Sequence, residues 1–152
     1  MMQYHIREAL VSDASAISAL ELECFSLPWS EKALRETMSE PASVFYVCED
    51  ERGNILGYIG GVCALDECSV TNVCVTESVR RCGIGYALMD ALELSCSRRG
   101  VSVVFLEVRE SNLAAIGAYE KRGYETCGRR KGFYSKPRED AFVYKKTLCA
   151  EK

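Results

Sequence analysis

Histidine is almost missing from this sequence: His5 stands alone among 152 residues. That leaves no convincing zinc constellation and no Cys–His pair for covalent catalysis. Proline is scarce as well, with only Pro28, Pro41 and Pro137, and no linker, repeat or low-complexity tract interrupts the chain. No long apolar run is present, and Met1-Met2-Gln3-Tyr4-His5 lacks the charged and then apolar pattern of a signal peptide. A cytoplasmic location is therefore expected. The formal net charge of −3 gives no excess of positive charge to draw the chain to nucleic acid or to an acidic membrane.

Cysteine is abundant but badly arranged for cross-linking. The nine cysteines are odd in number, scatter from Cys24 to Cys149 and never form a Cys-x-x-Cys pair. They read as reduced, mostly buried thiols with no metal.

The residues present are those of an ordinary globular protein, 48% apolar and 27% charged. The length suits one domain spanning 1–152, which buries about 70% of the surface its unfolded chain exposes. Element types alternate along it. A short strand is predicted over 4–7, then a helix capped by Ser12 or Asp13 with Ile17, Leu20 and Cys24 on one face. The segment Ser26-Leu27-Pro28-Trp29 is a break, after which Ser30 caps a second helix running to Met38. Strands are predicted over 44–48, 55–62 and 69–75, the first two joined by a turn containing Gly53.

The clearest helix follows: Ile84, Ala87, Leu88, Ala91, Leu92 and Ser95 keep helical spacing. Arg98 and Arg99 suit its negative end, and Gly100 supplies a left-handed stop. An apolar strand over 103–108, a helix from an Asn112 cap to a stop at Gly123, and strands over 124–128 and 141–148 complete the chain. The order is β-α-α-β-β-β-α-β-α-β-β, an α/β (α+β) arrangement of a mixed central sheet with helices on both faces. The basic run Arg129-Arg130-Lys131 falls between the last two strands and reads as a solvated turn.

Two segments carry chemistry. Arg80-Arg81-Cys82-Gly83-Ile84-Gly85 lies between a strand and the amphipathic helix. Its glycines allow close backbone approach, the free amides and dipole of the helix start favour an anion, and the two arginines add phosphate-binding charge. A pyrophosphate fits such a loop, and so does a plain glycine turn. The second segment runs from Leu106-Glu107-Val108-Arg109 to Asn112 and Tyr119. Strand alternation puts Glu107 on the face of Val103 and Phe105, where a partly desolvated carboxylate suits general-base work; a carboxylate at a strand end reaching solvent is the simpler account. Asn112 and Tyr119 are two helical turns apart, on one side of the last helix; a simple cap and a core aromatic account for them equally.

Arg80 to Gly85, opening a helix directly after the fourth strand, resembles the acetyl-CoA pyrophosphate loop (Arg/Gln-x-x-Gly-x-Gly) of the GNAT superfamily of N-acetyltransferases, and the element order resembles that fold over the whole chain. Leu106-Glu107-Val108-Arg109, Asn112 and Ala118-Tyr119-Glu120-Lys121-x-Gly123-Tyr124 resemble its ribosomal-protein alanine N-acetyltransferase subfamily (RimI type). Pro28-Trp29-Ser30 and Arg138-Glu139-Asp140-Ala141 agree, making five patches in order. The resemblance implies acetyl-CoA as co-substrate, held by Val73, Cys74 and Val75 on a splayed strand edge, by Arg80, Arg81, Cys82, Gly83, Ile84, Gly85 and Tyr86, and by Asn112. It implies Glu107 as proton acceptor, Tyr119 as proton donor, and direct attack without an acyl-enzyme. The implied acceptor is the N-terminal alanine of the eighteenth small-subunit ribosomal protein.

Trp29, Tyr134, Glu139 and Asp140, with Phe133, are candidates for an aromatic acceptor cleft with an acidic lip. Family members often carry Tyr-Tyr where this chain has Phe133-Tyr134, one hydroxyl fewer. Cys82, beside a helix start and two arginines, is a candidate redox-sensitive thiol. A monomer or weak dimer is expected, with no stable nucleic-acid or membrane partner. Two other functions compete: acetylation of a small amine such as a polyamine or an antibiotic, and CoA sensing without catalysis, which needs only the loop at 80–85.

Overall fold

The computed structural model describes residues 3–148. Seven strands form one sheet: β1 Tyr4–Glu8, β2 Ser43–Asp50, β3 Ile55–Ala64, β4 Glu67–Val75, β5 Val103–Arg109, β6 Glu125–Tyr134 and β7 Glu139–Thr147. Four helices accompany them: α1 Ala14–Cys24, α2 Glu31–Met38, α3 Ile84–Arg98 and α4 Leu113–Lys121. The element order is the one expected. The sheet runs β1-β2-β3-β4-β5-β7-β6, antiparallel throughout except for the parallel pair β4–β5.

Both faces of the central strands are covered, and the alternation along β2 shows how. Val44 and Cys48 join a core with Ile59, Leu88, Leu92, Val104 and Leu106 beneath α3, while Phe45 and Val47 join Ile17, Leu20, Leu34 and Tyr58 beneath α1 and α2. Each fully buried side chain of this kind contributes about 1.5–3 kcal/mol. The two layers leave little room at Gly60, where a β-carbon would stand 2.5 Å from the Phe45 ring.

Helix α3 has the predicted face, completed by buried Met89 and Cys96. Gly100, at φ 82°, and Gly123, at φ 94°, are the left-handed stops expected after α3 and α4. Ser30 caps α2 by accepting the Ala33 amide at 3.1 Å, and Asn112 caps α4 by accepting the Ala115 amide at 3.2 Å.

Two expectations need correction. Asp13 does not cap α1 with its side chain. Its carboxylate takes both terminal nitrogens of Arg7, at 2.9 and 3.0 Å, and the Leu10 amide at 2.7 Å, so Val11–Asp13 winds as a 3₁₀ turn into the helix. Nor is Arg129-Arg130-Lys131 a turn: it lies inside β6, with Arg129 opposite Phe142 and Arg130 opposite Ala141. β6 is an edge strand, where charged residues are tolerated and discourage pairing with other chains.

The described cysteines are free thiols; Cys48, Cys68, Cys74 and Cys96 are buried, Cys24 and Cys63 half-buried, and Cys82 and Cys127 exposed. Cys149 lies outside the described residues. No helix among the described residues is long and apolar enough to cross a membrane.

Candidate active site

The site begins with a failure of strand pairing. β4 and β5 pair only through Glu67–Val103, Cys68–Val104 and Ser69–Phe105. Immediately beyond, Gly61 pairs with Val70 and Gly60 with Asn72, leaving Thr71 as the extra residue of a bulge in β4. A bulge bends and twists its strand, and from there β4 and β5 separate. Val73, Cys74 and Val75 still pair with β3 on one side, through Ile59, Tyr58 and Gly57. Their other edge has no strand beside it; Arg80 occupies the Val75 carbonyl there, and the remaining outward backbone groups are open to a ligand.

Two cavities open on the two sides of this gap. The first, of about 450 Å³, is lined by Val73, Cys74 and Val75, by Arg80, Arg81, Gly83, Ile84, Gly85 and Tyr86, and by Ala115, Ala118, Tyr119 and Arg122 from the α4 region. The second, of about 700 Å³, is lined by Trp29, Asn72, Glu107, Asn112, Phe133 and Tyr134 among others. Cys24, Phe25, Val73, Ala115 and Tyr119 line both. Tyr119 therefore faces both cavities.

The loop at the first cavity is bent for anion binding. Arg81 and Gly83 have φ of 70° and 82°, the left-handed region that is strained for a residue with a β-carbon and costs about 1–3 kcal/mol. Arg80 braces the loop on the strand edge: its Nε donates to the Val75 carbonyl at 3.0 Å and its Nη2 to the Cys24 sulfur at 3.5 Å. Gly85 sits in the first turn of α3, where a β-carbon would meet no protein atom within 4 Å. Alanine would favour a helix by about 1 kcal/mol, so the protein's own packing does not explain the glycine, whereas close approach of a phosphate does. Arg122 adds a second sign of fit. It holds Asp90 at 2.7 Å and Glu93 at 3.1 Å, yet its buried Nε has no hydrogen-bond partner. The residues present thus suit a diphosphate and an extended amide-bearing chain.

In the second cavity Glu107 is about a quarter exposed, and Arg130 Nε lies 3.6 Å from its carboxylate. Burial, together with the charge of Tyr134, pushes the Tyr119 phenol up to about 12. It is a standing proton donor at neutral pH. Tyr134 is also raised, by burial and by the Glu107 carboxylate, and the Arg109 guanidinium stacks 4.3 Å above its ring. Phe133 meets Tyr134 edge-on with centroids 5.0 Å apart.

The expected acidic lip is not brought to this cavity. Glu139 accepts the Ser111 amide at 2.7 Å and pairs with Arg109 at 3.2 Å, and these bonds, the Ser111 one first, hold it below the ordinary carboxylate range. Asp140 accepts the Gly132 amide at 2.8 Å and pairs with Arg129 at 3.2 Å. Both carboxylates brace the β6–β7 end instead. Asn112 lines the second cavity rather than the first, and Cys82 lines neither.

Two positions stand out that the sequence reading passed over. Arg122 is one; it occupies the unspecified place between Lys121 and Gly123, and a cation ahead of a helix-stopping glycine was the available signal. Glu21 is the other. It is fully buried and accepts from the Trp29 amide (2.9 Å), the Tyr58 hydroxyl (2.5 Å) and the Asn72 side chain (3.0 Å). It ties the loop between α1 and α2 to β3 and to the bulge.

The sequence pattern of the Acetyltransferase (GNAT) family matches residues 14–124. This chain belongs to that family. As a GNAT acetyltransferase it is an acetyl-CoA-dependent N-acetyltransferase. The chain is similar to the ribosomal protein bS18-alanine N-acetyltransferase of Escherichia coli strain K12, with 32% identity over 134 residues, 87% of this chain and 89% of the relative. It is similar to a Bacillus subtilis protein described as a putative enzyme of the same name, at 27% identity over 91% of each chain. Among solved structures, the ribosomal-protein-S18-alanine N-acetyltransferase from Escherichia coli superposes with a TM-score of 0.89 at 28% identity, covering 99% of this chain and 97% of that one. Ard1 from Thermoplasma volcanium gives 0.87 at 26% identity, covering 96% and 98%.

Proposed function

We propose that this GNAT enzyme acetylates the N-terminal α-amine of a protein, and that its acceptor is the N-terminal alanine of ribosomal protein bS18. One observation carries the reading: Glu107 and Tyr119 face a single aromatic-walled chamber, and Tyr119 also faces the cleft that suits acetyl-CoA. The named relatives supply the acceptor.

The chemistry asks little of the base. At pH 7.5 about a third of an α-amine is already neutral, against about a thousandth of a lysine side chain. The neutral amine attacks the thioester carbonyl, the new C–N bond forms and the C–S bond breaks. Glu107, directly or through one water, takes the proton the amine loses. Backbone amides on the free edge of β4 face the carbonyl oxygen as it gains charge. Tyr119 donates to the departing sulfur and supplies its proton. Arg80, Arg81, Gly83 and Gly85 hold the phosphates, with Arg122 beside them.

Selection at the acceptor end rests on shape. Trp29, Phe133 and Tyr134 wall the chamber, and with Glu139 and Asp140 engaged elsewhere, Glu107 is the carboxylate among its lining residues that meets an incoming ammonium group, with Arg109 and Lys136 also on the wall. A hexapeptide with the bS18 N-terminus, assayed beside an N-terminally blocked copy that contains lysine, tests this. Mass spectrometry is expected to find the acetyl group on the free α-amine alone. Acetylation of the blocked copy, or of spermidine in preference to both peptides, would refute it.

A further inference from the structure

Cys63, Cys68 and Cys96 are distant in sequence, yet the β3–β4 hairpin and the C-terminal half of α3 bring them together. Cys63 pairs with Cys68 across the hairpin, and the three sulfurs all lie within 4.8 Å of one another. Neither cavity of the active site touches them. We propose that this trithiol group is a binding site for a soft, thiophilic cation, copper(I) being the ion whose coordination it fits.

The number and kind of donors select the ion. Structural zinc and iron–sulfur sites take four protein ligands, and among the described residues no fourth histidine, cysteine or carboxylate joins these three. Thiolates alone, with no oxygen or nitrogen donor, favour copper(I). With metal–sulfur bonds of about 2.3 Å, a trigonal site needs sulfurs about 4 Å apart, so the group has only to contract by under about 1 Å.

The surroundings accommodate it. Cys68 and Cys96 are fully buried, whereas Cys63 is half-buried and offers a route in from solvent. Gly61 makes room for the Cys68 sulfur; a β-carbon there would stand 2.8 Å from it. Binding exchanges the three thiol protons for one cation, with the protons released to solvent and no change of oxidation state.

The test is an anaerobic titration of the fully reduced protein with copper(I) against a chromophoric copper(I) chelator. The variant Cys82→Ser with Cys127→Ser, which removes the two exposed thiols, is expected to hold one ion per chain, with three sulfur neighbours in its X-ray absorption spectrum. Cys96→Ala is expected to weaken that ion at least about 100-fold, beyond what loss of an outer-shell partner causes. Cys63→Ser, at the half-buried position, is expected to do the same and serves where Cys96→Ala fails to fold. Binding that survives Cys63→Ser within threefold, that disappears with Cys82 and Cys127, or that shows fewer than three sulfur neighbours overturns the proposal.

Discussion

At one end β4 and β5 are zipped by parallel pairing from Glu67 to Ser69, with buried Cys68 and Val104 beneath α3. A few residues further on, past the extra residue Thr71, the same two strands stand apart around Tyr119. The closed end uses its backbone groups on itself and its side chains on the core. The open end leaves one edge of β4 to a ligand and brings a carboxylate and a phenol into a shared chamber. Substitutions at the closed end are therefore expected to act on stability, and those at the open end on chemistry.

Leu92→Ala, in the core beneath the closed end, is expected to lower unfolding stability by about 2–5 kcal/mol. Denaturant melts check it, and the folded fraction is expected to keep its KM for acetyl-CoA. Tyr119→Phe removes the donor that faces both cavities and is expected to reduce kcat roughly 100-fold, with little change in melting temperature. Because Tyr119 stays protonated up to about pH 12, the wild-type kcat profile is expected to show no alkaline loss from this group between about pH 8 and 10.

Gly85→Ala sharpens the contrast by moving the two quantities in opposite directions. It is expected to raise stability by about 0.5–1 kcal/mol while weakening acetyl-CoA binding about tenfold, as read by melting and calorimetric titration. The smallest effect belongs to Asp13. Its hydrogen bonds from Arg7, opposed by burial, hold its pKa below the usual carboxylate value. Stability from this pair is thus fully present above about pH 4 and is lost as pH falls further. Asp13→Asn is expected to cost about 1 kcal/mol at neutral pH and to flatten that acid limb, leaving kcat unchanged.

Much of this contrast was legible in the sequence where a local rule governs. α3 announced itself through a periodic face and a glycine stop. The loop at Arg80 to Gly85 and the strand face of Glu107 follow from glycine spacing and strand alternation, which are local, whereas the roles of Glu107 and Tyr119 come only with the family resemblance. What could not be read depends on partners far along the chain. Asp13 reads as a cap until Arg7 claims it, and the basic run at 129–131 reads as a turn until β7 pairs with it. Glu139 and Asp140 read as an open lip because their partners, Ser111, Arg109 and Arg129, come from neighbouring elements. The convergence of Cys63, Cys68 and Cys96 leaves no mark on spacing at all.

The most direct test of the account measures two quantities on Glu107→Gln: the dissociation constant for acetyl-CoA and kcat with an N-terminal alanine peptide. Glu107 lines the second cavity and not the first. The account predicts unchanged acetyl-CoA binding and a fall in kcat of about 10²–10⁴. Full turnover in this variant, or a dissociation constant that rises in step with the loss of rate, would contradict it.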